Sequence, residues 1–199
     1  MSATKTPIIN QEADIAQPTL GMNPKKFSMW LFLLSVVMIF ASLTSGYIVR
    51  KAEGNWVDFE LPPIFWVTTI ILVLSSVTHH IAFYHAKRDN LDQVKGWMII
   101  TSLLGFGFLV TQFYGWIYLV GINVYFVGNN VAGSFLYVLT GLHALHLISA
   151  IIFVLIITFK TFQFNVHSKN ILGIELSTTY WHFLDALWLY LFAFLLLFH

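Results

Sequence analysis

The sequence contains no cysteine, and this absence excludes several classes of protein. Without cysteine the chain cannot form a disulfide or a zinc site built on thiolates. It also cannot attach a haem through a Cys-x-x-Cys-His motif or hold a dinuclear copper centre bridged by thiolates.

Charged residues are scarce as well, at 10% of the chain, whereas soluble domains carry about 25%. Hydrophobic residues make up 58% of the 199 positions, and the mean hydropathy is +0.77. This composition indicates a membrane protein. The formal net charge is +1, and there is no basic stripe that could neutralise phosphates, which argues against a nucleic-acid partner.

Residues 1–24 are polar and lack the apolar stretch that a secretory signal needs, so we expect a mobile cytoplasmic tail retained in the mature protein. The remainder, residues 25–199, contains five windows of about 20 mainly apolar residues, the length that a spanning helix requires. Their approximate bounds are 27–49, 63–86, 97–120, 134–159 and 176–198. The runs are continuously apolar and do not alternate. They therefore predict an all-α polytopic membrane protein, a bundle of five transmembrane helices, rather than a barrel.

The placement of lysine and arginine predicts the orientation, because both are enriched in cytoplasmic loops. The tail and the loops after the second and fourth windows hold Lys5, Lys25, Lys26, Lys87, Arg88, Lys95, Lys160 and Lys169. The opposite side holds only Arg50 and Lys51. We therefore expect a cytoplasmic amino terminus and a carboxyl terminus, at His199, that faces outside.

The candidate ionisable side chains inside the predicted spans are His80, His143, His146, His182 and Asp185. A charge at the bilayer centre costs roughly 2.5–3.5 kcal/mol on insertion scales, so such residues usually face a protein interior. With a rise of about 1.5 Å per residue, His80 falls level with His182, and His146 falls level with Asp185. His143 and His146 are three residues apart and share a helix face, as do His182 and Asp185.

Three interpretations of these five residues remain open. They could hold a metal or haem, since imidazole is a common transition-metal ligand. They could form a proton or solute pathway. Finally, they could form a polar clasp, in which His and Asp bond across helices and fix the packing. The clasp interpretation is the hypothesis we carry forward, and it predicts no catalytic, cofactor-binding or metal-binding residue in this chain.

Two further features concern the membrane surface. Six tryptophans lie near predicted span ends, where interfacial anchoring accounts for most of them, namely Trp30, Trp56, Trp66, Trp97, Trp116 and Trp181. Glu175 lies at the entrance to the fifth window, and we expect it at the headgroup level, solvated or paired with Lys169.

Three segments of the chain carry a family resemblance. They are residues 133–141 (GSFLYVLTG), residues 143–146 (HALH), and residues 180–185 (YWHFLD) with Trp188. Together they resemble the carboxyl-terminal half of subunit III of haem–copper respiratory oxidases. Weaker likeness extends through residues 112–116 (QFYGW), 75–80 (SSVTHH) and 29–35 (MWLFLLS), and so covers about residues 27–198.

The resemblance implies an accessory subunit with no catalytic site of its own, in the cytoplasmic (inner) membrane of a bacterium. In that family the subunit has no redox cofactor and packs against the catalytic haem–copper subunit I. It stabilises that subunit, holds phospholipids and maintains proton uptake during aerobic electron transport. Haem and copper are therefore expected in partner subunits only. Subunit II, other small membrane subunits and a respiratory supercomplex are further implied partners.

The chain departs from the family pattern in three respects. Val36 follows Ser35 where the family usually has a carboxylate, and Gly115 stands where many relatives have Glu, so roles that depend on those acids do not carry over. The longer family form has seven spans, and this chain has five. The first two spans create the lipid-filled cleft of the longer form, so lipid binding carries over only if another subunit supplies them.

Several functions stay open at this stage. The leading hypothesis is an accessory subunit of a proton-pumping cytochrome c oxidase, and the alternatives within the family are a quinol oxidase or a nitric oxide reductase. Two other classes are a small proton-coupled transporter that uses His143, His146 and Asp185, and an intramembrane metalloenzyme.

Overall fold

The computed structural model describes residues 23–54, 56, 61–88, 90–127, 131–162 and 172–198, and these form five α-helices. The helices are α1 (Pro24–Ala52), α2 (Ile64–Lys87), α3 (Leu91–Gly121), α4 (Val131–Phe162) and α5 (Leu172–Phe198). Each is long and apolar enough to cross a membrane, which confirms the predicted bundle of five transmembrane helices. Most of the predicted tail lies outside the described residues, as do Lys5, Lys169 and His199.

The helices extend beyond the apolar windows because polar turns continue them toward the headgroups. At the start of α1, the Asn23 side chain accepts a hydrogen bond from the Lys25 backbone N–H at 3.0 Å, and Pro24 occupies the first helical position. Both features favour helix initiation. Pro62 and Pro63 precede α2, and no side chain caps its first turn.

The four helices α2 to α5 pack as a closed ring in chain order, with α5 returning to contact α2, and α1 packs against α4 and α5. Neighbours in the ring run antiparallel. Thr78 and Thr101 join α2 to α3 at 2.8 Å, and the Trp116 indole donates to Thr140 between α3 and α4 at 3.1 Å. Hydroxyl bonds of this kind are a common way to fix helix pairs in lipid, where apolar surface gives little discrimination between partners.

Large side chains fill the interior of the ring. The largest fully buried ones include Trp181, Trp188, Phe108 and Leu147. Trp181 is accommodated only because α3 carries glycine opposite it: a Cβ at Gly105 would lie 2.9 Å from the indole Cη2. The close approach of α3 to α5 therefore depends on the absence of a side chain at position 105.

Helix α1 is attached to α5 near both of its ends. At one end the Lys26 ammonium pairs with Glu175 at 2.6 Å. At the other end the Tyr47 hydroxyl donates to the Phe198 carbonyl at 3.3 Å, and Lys51 donates to the same oxygen at 2.7 Å. The two helices are consequently parallel and nearly in register.

Candidate functional site

The main cluster of intramembrane polar groups lies between α2 and α5. We call it the α2–α5 seam and define it by Ser75, Ser76, His79 and His80 of α2 with Ser177, Trp181, His182 and Asp185 of α5. The residues on each helix are spaced by one, three or four positions, so they fall on one side of that helix. Because the helices are antiparallel, later residues of α2 meet earlier residues of α5.

Trp181 is the central contact of the seam. Its indole N–H donates to the Ser75 hydroxyl at 3.1 Å, and its ring stacks on the His79 imidazole with centroids 5.6 Å apart and planes 4° from parallel. The Ser177 hydroxyl lies 3.4 Å from Nε2 of that imidazole. All these groups are buried. Trp181 is thus a core residue and not one of the interfacial anchors that account for most tryptophans near span ends.

His182 and Asp185 occupy the outer part of the seam. Nδ1 of His182 is hydrogen-bonded to the Ser76 hydroxyl at 2.7 Å and lies 3.9 Å from Oδ2 of Asp185. The second distance fits an ion pair but is too long for a hydrogen bond. Ser76 is also close to the carboxylate. Neither carboxylate oxygen has hydrogen-bond geometry with another described residue, although the side chain is only 7% exposed.

His80 is the exposed member of the seam. Its ring centroid lies 5.7 Å from that of His182, so the two imidazoles are level, as their sequence depths predict. The neighbouring His79 points inward and His80 points outward, since consecutive residues of a helix are about 100° apart. The hydropathy pattern does not decide which of two adjacent histidines is buried.

His146 lies level with Asp185 but points to a different neighbour. The depth of His146 on α4 can be compared with that of Asp185 on α5 because contacts on either side align the two helices. Ser149 contacts Tyr180 on one side of that depth, and His143 contacts Trp188 on the other. The His146 ring, however, packs against α1, and its Nδ1 is 2.8 Å from the Leu142 carbonyl. Equal depth therefore does not bring His146 and Asp185 together.

The α1 surface that His146 contacts includes Val36, the position at which the resemblance implies a carboxylate in relatives. The imidazole lies 6.5 Å from the Phe32 ring and 5.9 Å from the Phe40 ring, measured between centroids. These two residues flank Val36 by one helical turn on each side, so Val36 lies on the same face. Val36 is buried at 1% exposure. Val36 therefore places a buried apolar side chain on the α1 face that packs against His146.

Gly115, the second position at which the resemblance implies an acid in relatives, is closed by an aromatic ring. A Cβ at Gly115 would lie 2.7 Å from Cε1 of Phe65 and 3.3 Å from Cγ2 of Ile64. Phe65 is fully buried. The α2–α3 packing therefore leaves no room for a Glu side chain here unless the ring moves.

His143 and Gln112 are buried polar side chains outside the seam. The His143 imidazole packs on Trp188 and Phe108 with centroids 5.1 and 5.7 Å away. Neither its nitrogens nor the amide atoms of Gln112 have a hydrogen-bond partner in the described part of the chain. His143 and His146 share one helix but contact different neighbours, α3 and α5 in one case and α1 in the other.

Glu175 forms an ion pair with Lys26, and both side chains are more than one-third exposed at the end of the bundle. Lys169, the other partner considered for Glu175, lies outside the described residues.

Sequence reasoning missed three of the residues that hold the seam together. His79, Ser75 and Ser76 were visible only as part of the segment 75–80, and Ser and Thr in a span usually bond to their own helix backbone. Ser75 and Ser76 could have been identified by their spacing, which places them on the same helix face as His79, opposite Trp181 and His182.

The seam has the properties of an interhelical contact in a membrane. The Ser76 hydroxyl bonds to His182 and the Ser75 hydroxyl accepts from Trp181 across two helices, and the Trp181 indole fills the space between three helices. Among the described residues there is no group of three or more His, Cys, Asp or Glu placed to hold a metal ion.

Comparison with known proteins identifies close relatives of the chain. The family model described as cytochrome c oxidase subunit III matches residues 18–199. Cytochrome c oxidase subunit 3 of a Bacillus species (strain PS3) is 30% identical over 180 residues, covering 88% of this chain and 86% of the relative. The corresponding subunit of Corynebacterium diphtheriae is 30% identical, covering 81% and 82%. Cytochrome bo(3) ubiquinol oxidase subunit 3 of a Buchnera aphidicola subspecies is 28% identical, covering 85% and 89%.

These relatives are bacterial, and the five apolar helices make this chain a multi-pass protein of the bacterial cytoplasmic (inner) membrane that forms a complex with other oxidase subunits. The chain belongs to the cytochrome c oxidase subunit III family.

Proposed function

We propose that this chain is a non-catalytic accessory subunit of a proton-pumping haem–copper terminal oxidase, namely a cytochrome c oxidase, in aerobic electron transport. Its role is to stabilise the catalytic subunit and the proton-uptake side of that subunit. The observation that carries the proposal is family membership over nearly the whole chain. The fold supports it, because the polar groups of the α2–α5 seam are used to join helices.

In this proposal the redox chemistry belongs to the partners. Haem and copper reside in subunit I and its neighbours, and this chain contributes no ligand to them. Subunit I is the principal partner, and subunit II, other small membrane subunits and phospholipids are further ones. Membership of a respiratory supercomplex is part of the same proposal.

The orientation we propose places the amino terminus in the cytoplasm. Among the described basic residues, Lys25, Lys26, Lys87, Arg88, Lys95 and Lys160 are located at the same end of the bundle. Arg50 and Lys51 are at the other end. The positive-inside rule then assigns the first end to the cytoplasm and the Phe198 end of α5 to the outside.

The test is purification of the chain from its native membrane in a mild detergent. We expect it to arrive with a larger haem-bearing subunit, to show no haem spectrum when dissociated, and to be needed for sustained turnover. Recovery as a stable single polypeptide without such a companion would contradict the proposal. Proton or solute flux in vesicles that contain this chain alone would instead favour a transporter.

A quinol oxidase is the second candidate, because the relatives include subunit 3 of a cytochrome bo(3) ubiquinol oxidase. The electron donor is selected by other subunits, so the two candidates differ in the companion and not in this chain. Oxidation of reduced cytochrome c by the purified complex supports the first candidate, and oxidation of ubiquinol alone supports the second.

A further inference from the structure

The outer surface of the α2–α5 seam combines exposed polar groups with small residues at membrane depth. His80 is exposed, and the His182 side chain is 34% exposed beside it. His80 lies seven residues before the end of α2 at Lys87, so it is about 10 Å inside that end. Asp185, behind His182, lies thirteen residues into the 27-residue α5, near its midpoint.

Contact with lipid is unfavourable for this surface. Hydrocarbon cannot hydrogen-bond to an imidazole, and polar side chains at this depth normally face protein or a water-filled cavity. The polar atoms behind the surface are also incompletely satisfied. Nε2 of His182 and both carboxylate oxygens of Asp185 are buried beneath the surface and have no hydrogen-bond partner among the residues that the structure describes, so the polar group that the surface itself presents is His80.

Small side chains continue the surface along α5. Ala186 is four residues after His182, and Ala193 is seven residues further, so all three lie on one helix face. Both alanines are exposed. Small residues on a spanning helix allow another backbone to approach closely.

The outward face of α3 provides the contrast within the same bundle. It presents a continuous stripe of large apolar side chains, each roughly half or more exposed, namely Leu103, Phe106, Val110, Phe113 and Ile117. No polar group interrupts this stripe, which is the pattern of a surface that faces acyl chains.

We propose that the surface formed by His80, His182, Ala186 and Ala193 binds a transmembrane helix of a partner subunit. That helix presents a hydroxyl or amide side chain to the exposed His80 imidazole, covers the exposed edge of the His182 ring and packs its backbone against the two alanines. This inference rests on the proposed function, since it requires a membrane complex, and it assigns the contact to one face of the chain.

The test is site-specific photocrosslinking in native membranes. A benzophenone amino acid replaces Ala186 in one variant, His80 in a second and Val110 of the α3 stripe in a third, as the control. We expect adducts with another membrane subunit of the oxidase from positions 186 and 80, and none with a polypeptide from position 110. Co-purification of haem is measured on the same samples.

The haem measurement separates the two levels of the proposal. If a haem-bearing companion co-purifies but neither position 186 nor position 80 forms an adduct with a polypeptide, this inference is overturned and the proposed function stays intact. An adduct between two copies of this chain also overturns it. Absence of any haem-bearing companion overturns both.

A second measurement uses steric bulk instead of a crosslinker. We expect Ala186→Phe to lower the haem recovered per chain at least tenfold, while Val110→Phe leaves it within twofold. The thermal stability of each isolated chain in detergent shows whether the variant is folded. Equal haem recovery from both folded variants would contradict the inference.

Discussion

The α2–α5 seam and the attachment of α1 show two different ways to join helices in a membrane. Between α2 and α5 the polar contacts continue through the bilayer. Two of them, Trp181 with Ser75 and His182 with Ser76, belong to the seam, and the bond of Trp188 to Thr69 lies beyond it. Helix α1 instead has its polar contacts with α5 at its two ends and at one bond within its outer half, between the hydroxyls of Thr44 and Tyr190 at 3.0 Å. The contacts between α2 and α5 therefore fix rotation and register at several depths, whereas the inner half of α1, among the described residues, has the ion pair at its end as its only polar contact with α5.

This comparison predicts where the bundle resists change. Interhelical hydrogen bonds in lipid contribute only about 0.6–2 kcal/mol each, so a set of them around one buried ring should matter more than any single bond. Substitutions in the seam should affect the whole bundle, and substitutions at the ends of α1 should affect α1 alone.

The largest effect is expected for Trp181→Ala. The change removes a fully buried indole, its bond to Ser75 and its stack on His79, and such a cavity costs about 3–5 kcal/mol. Trp66→Ala is the matched control, because the Trp66 side chain is 57% exposed on the outside of α2. Unfolding in mixed detergent micelles measures both, and equal losses of stability would contradict a central role for the seam.

Gly115→Ala should have the next largest effect. The added Cβ would lie 2.7 Å from the Phe65 ring, and overpacking of this kind costs about 1–3 kcal/mol. Gly107→Ala on the same helix is the control, since its Cβ would meet only Ile71 at 3.9 Å. We expect that control to be neutral or slightly stabilising, because alanine favours helix over glycine. If the two variants unfold alike, the contact with Phe65 does not limit α2–α3 packing.

Much of the fold could be predicted from hydropathy, because a bilayer imposes both the length and the helical form of a span. The helix ends could not be predicted from hydropathy, since polar turns such as the one at Asp92 and Lys95 belong to α3 but lie outside its apolar window. The depth of a residue along its helix could also be predicted, and it placed His80 beside His182 correctly. The rotation of each helix about its own axis could not be predicted. That rotation makes His146 contact α1 instead of Asp185.

The same limit explains the parts of the candidate site that sequence reasoning missed. Two adjacent histidines, His79 and His80, differ completely in burial. Trp181 looks like an interfacial anchor by position, yet it is buried at 0% exposure because Gly105 lets α3 approach it. Both facts depend on which helices are neighbours, and a single sequence carries little information on that point.

Asp185→Ala tests whether the outer part of the seam acts as a clasp. The carboxylate lies close to Ser76 of α2 and 3.9 Å from Nδ1 of His182 on its own helix. Because it makes no hydrogen bond to a described residue, its loss should weaken the α2–α5 contact by at most about 1 kcal/mol. We expect the purified oxidase to begin turnover at a rate within twofold of wild type and to inactivate several-fold sooner. Asp92→Ala, at the exposed start of α3, is the control. Loss of the first turnovers would instead indicate a direct part in proton movement.

The smallest effect is expected for the ion pair between Lys26 and Glu175, whose side chains are 37% and 38% exposed. A double-mutant cycle with Lys26→Met and Glu175→Gln should give a coupling below about 1 kcal/mol that declines with added salt. The pair Arg50–Glu53 is the control, because it lies within one helix end and cannot hold α1 to α5. Hydrogen exchange resolves the difference: removing Lys26 should speed exchange in the first turns of α1 and leave the seam unchanged, whereas removing Arg50 should act only at the opposite end. Faster exchange throughout α2 and α5 in the Lys26 variant would mean that α1 supports the seam, and the division of the bundle into two kinds of contact would be wrong.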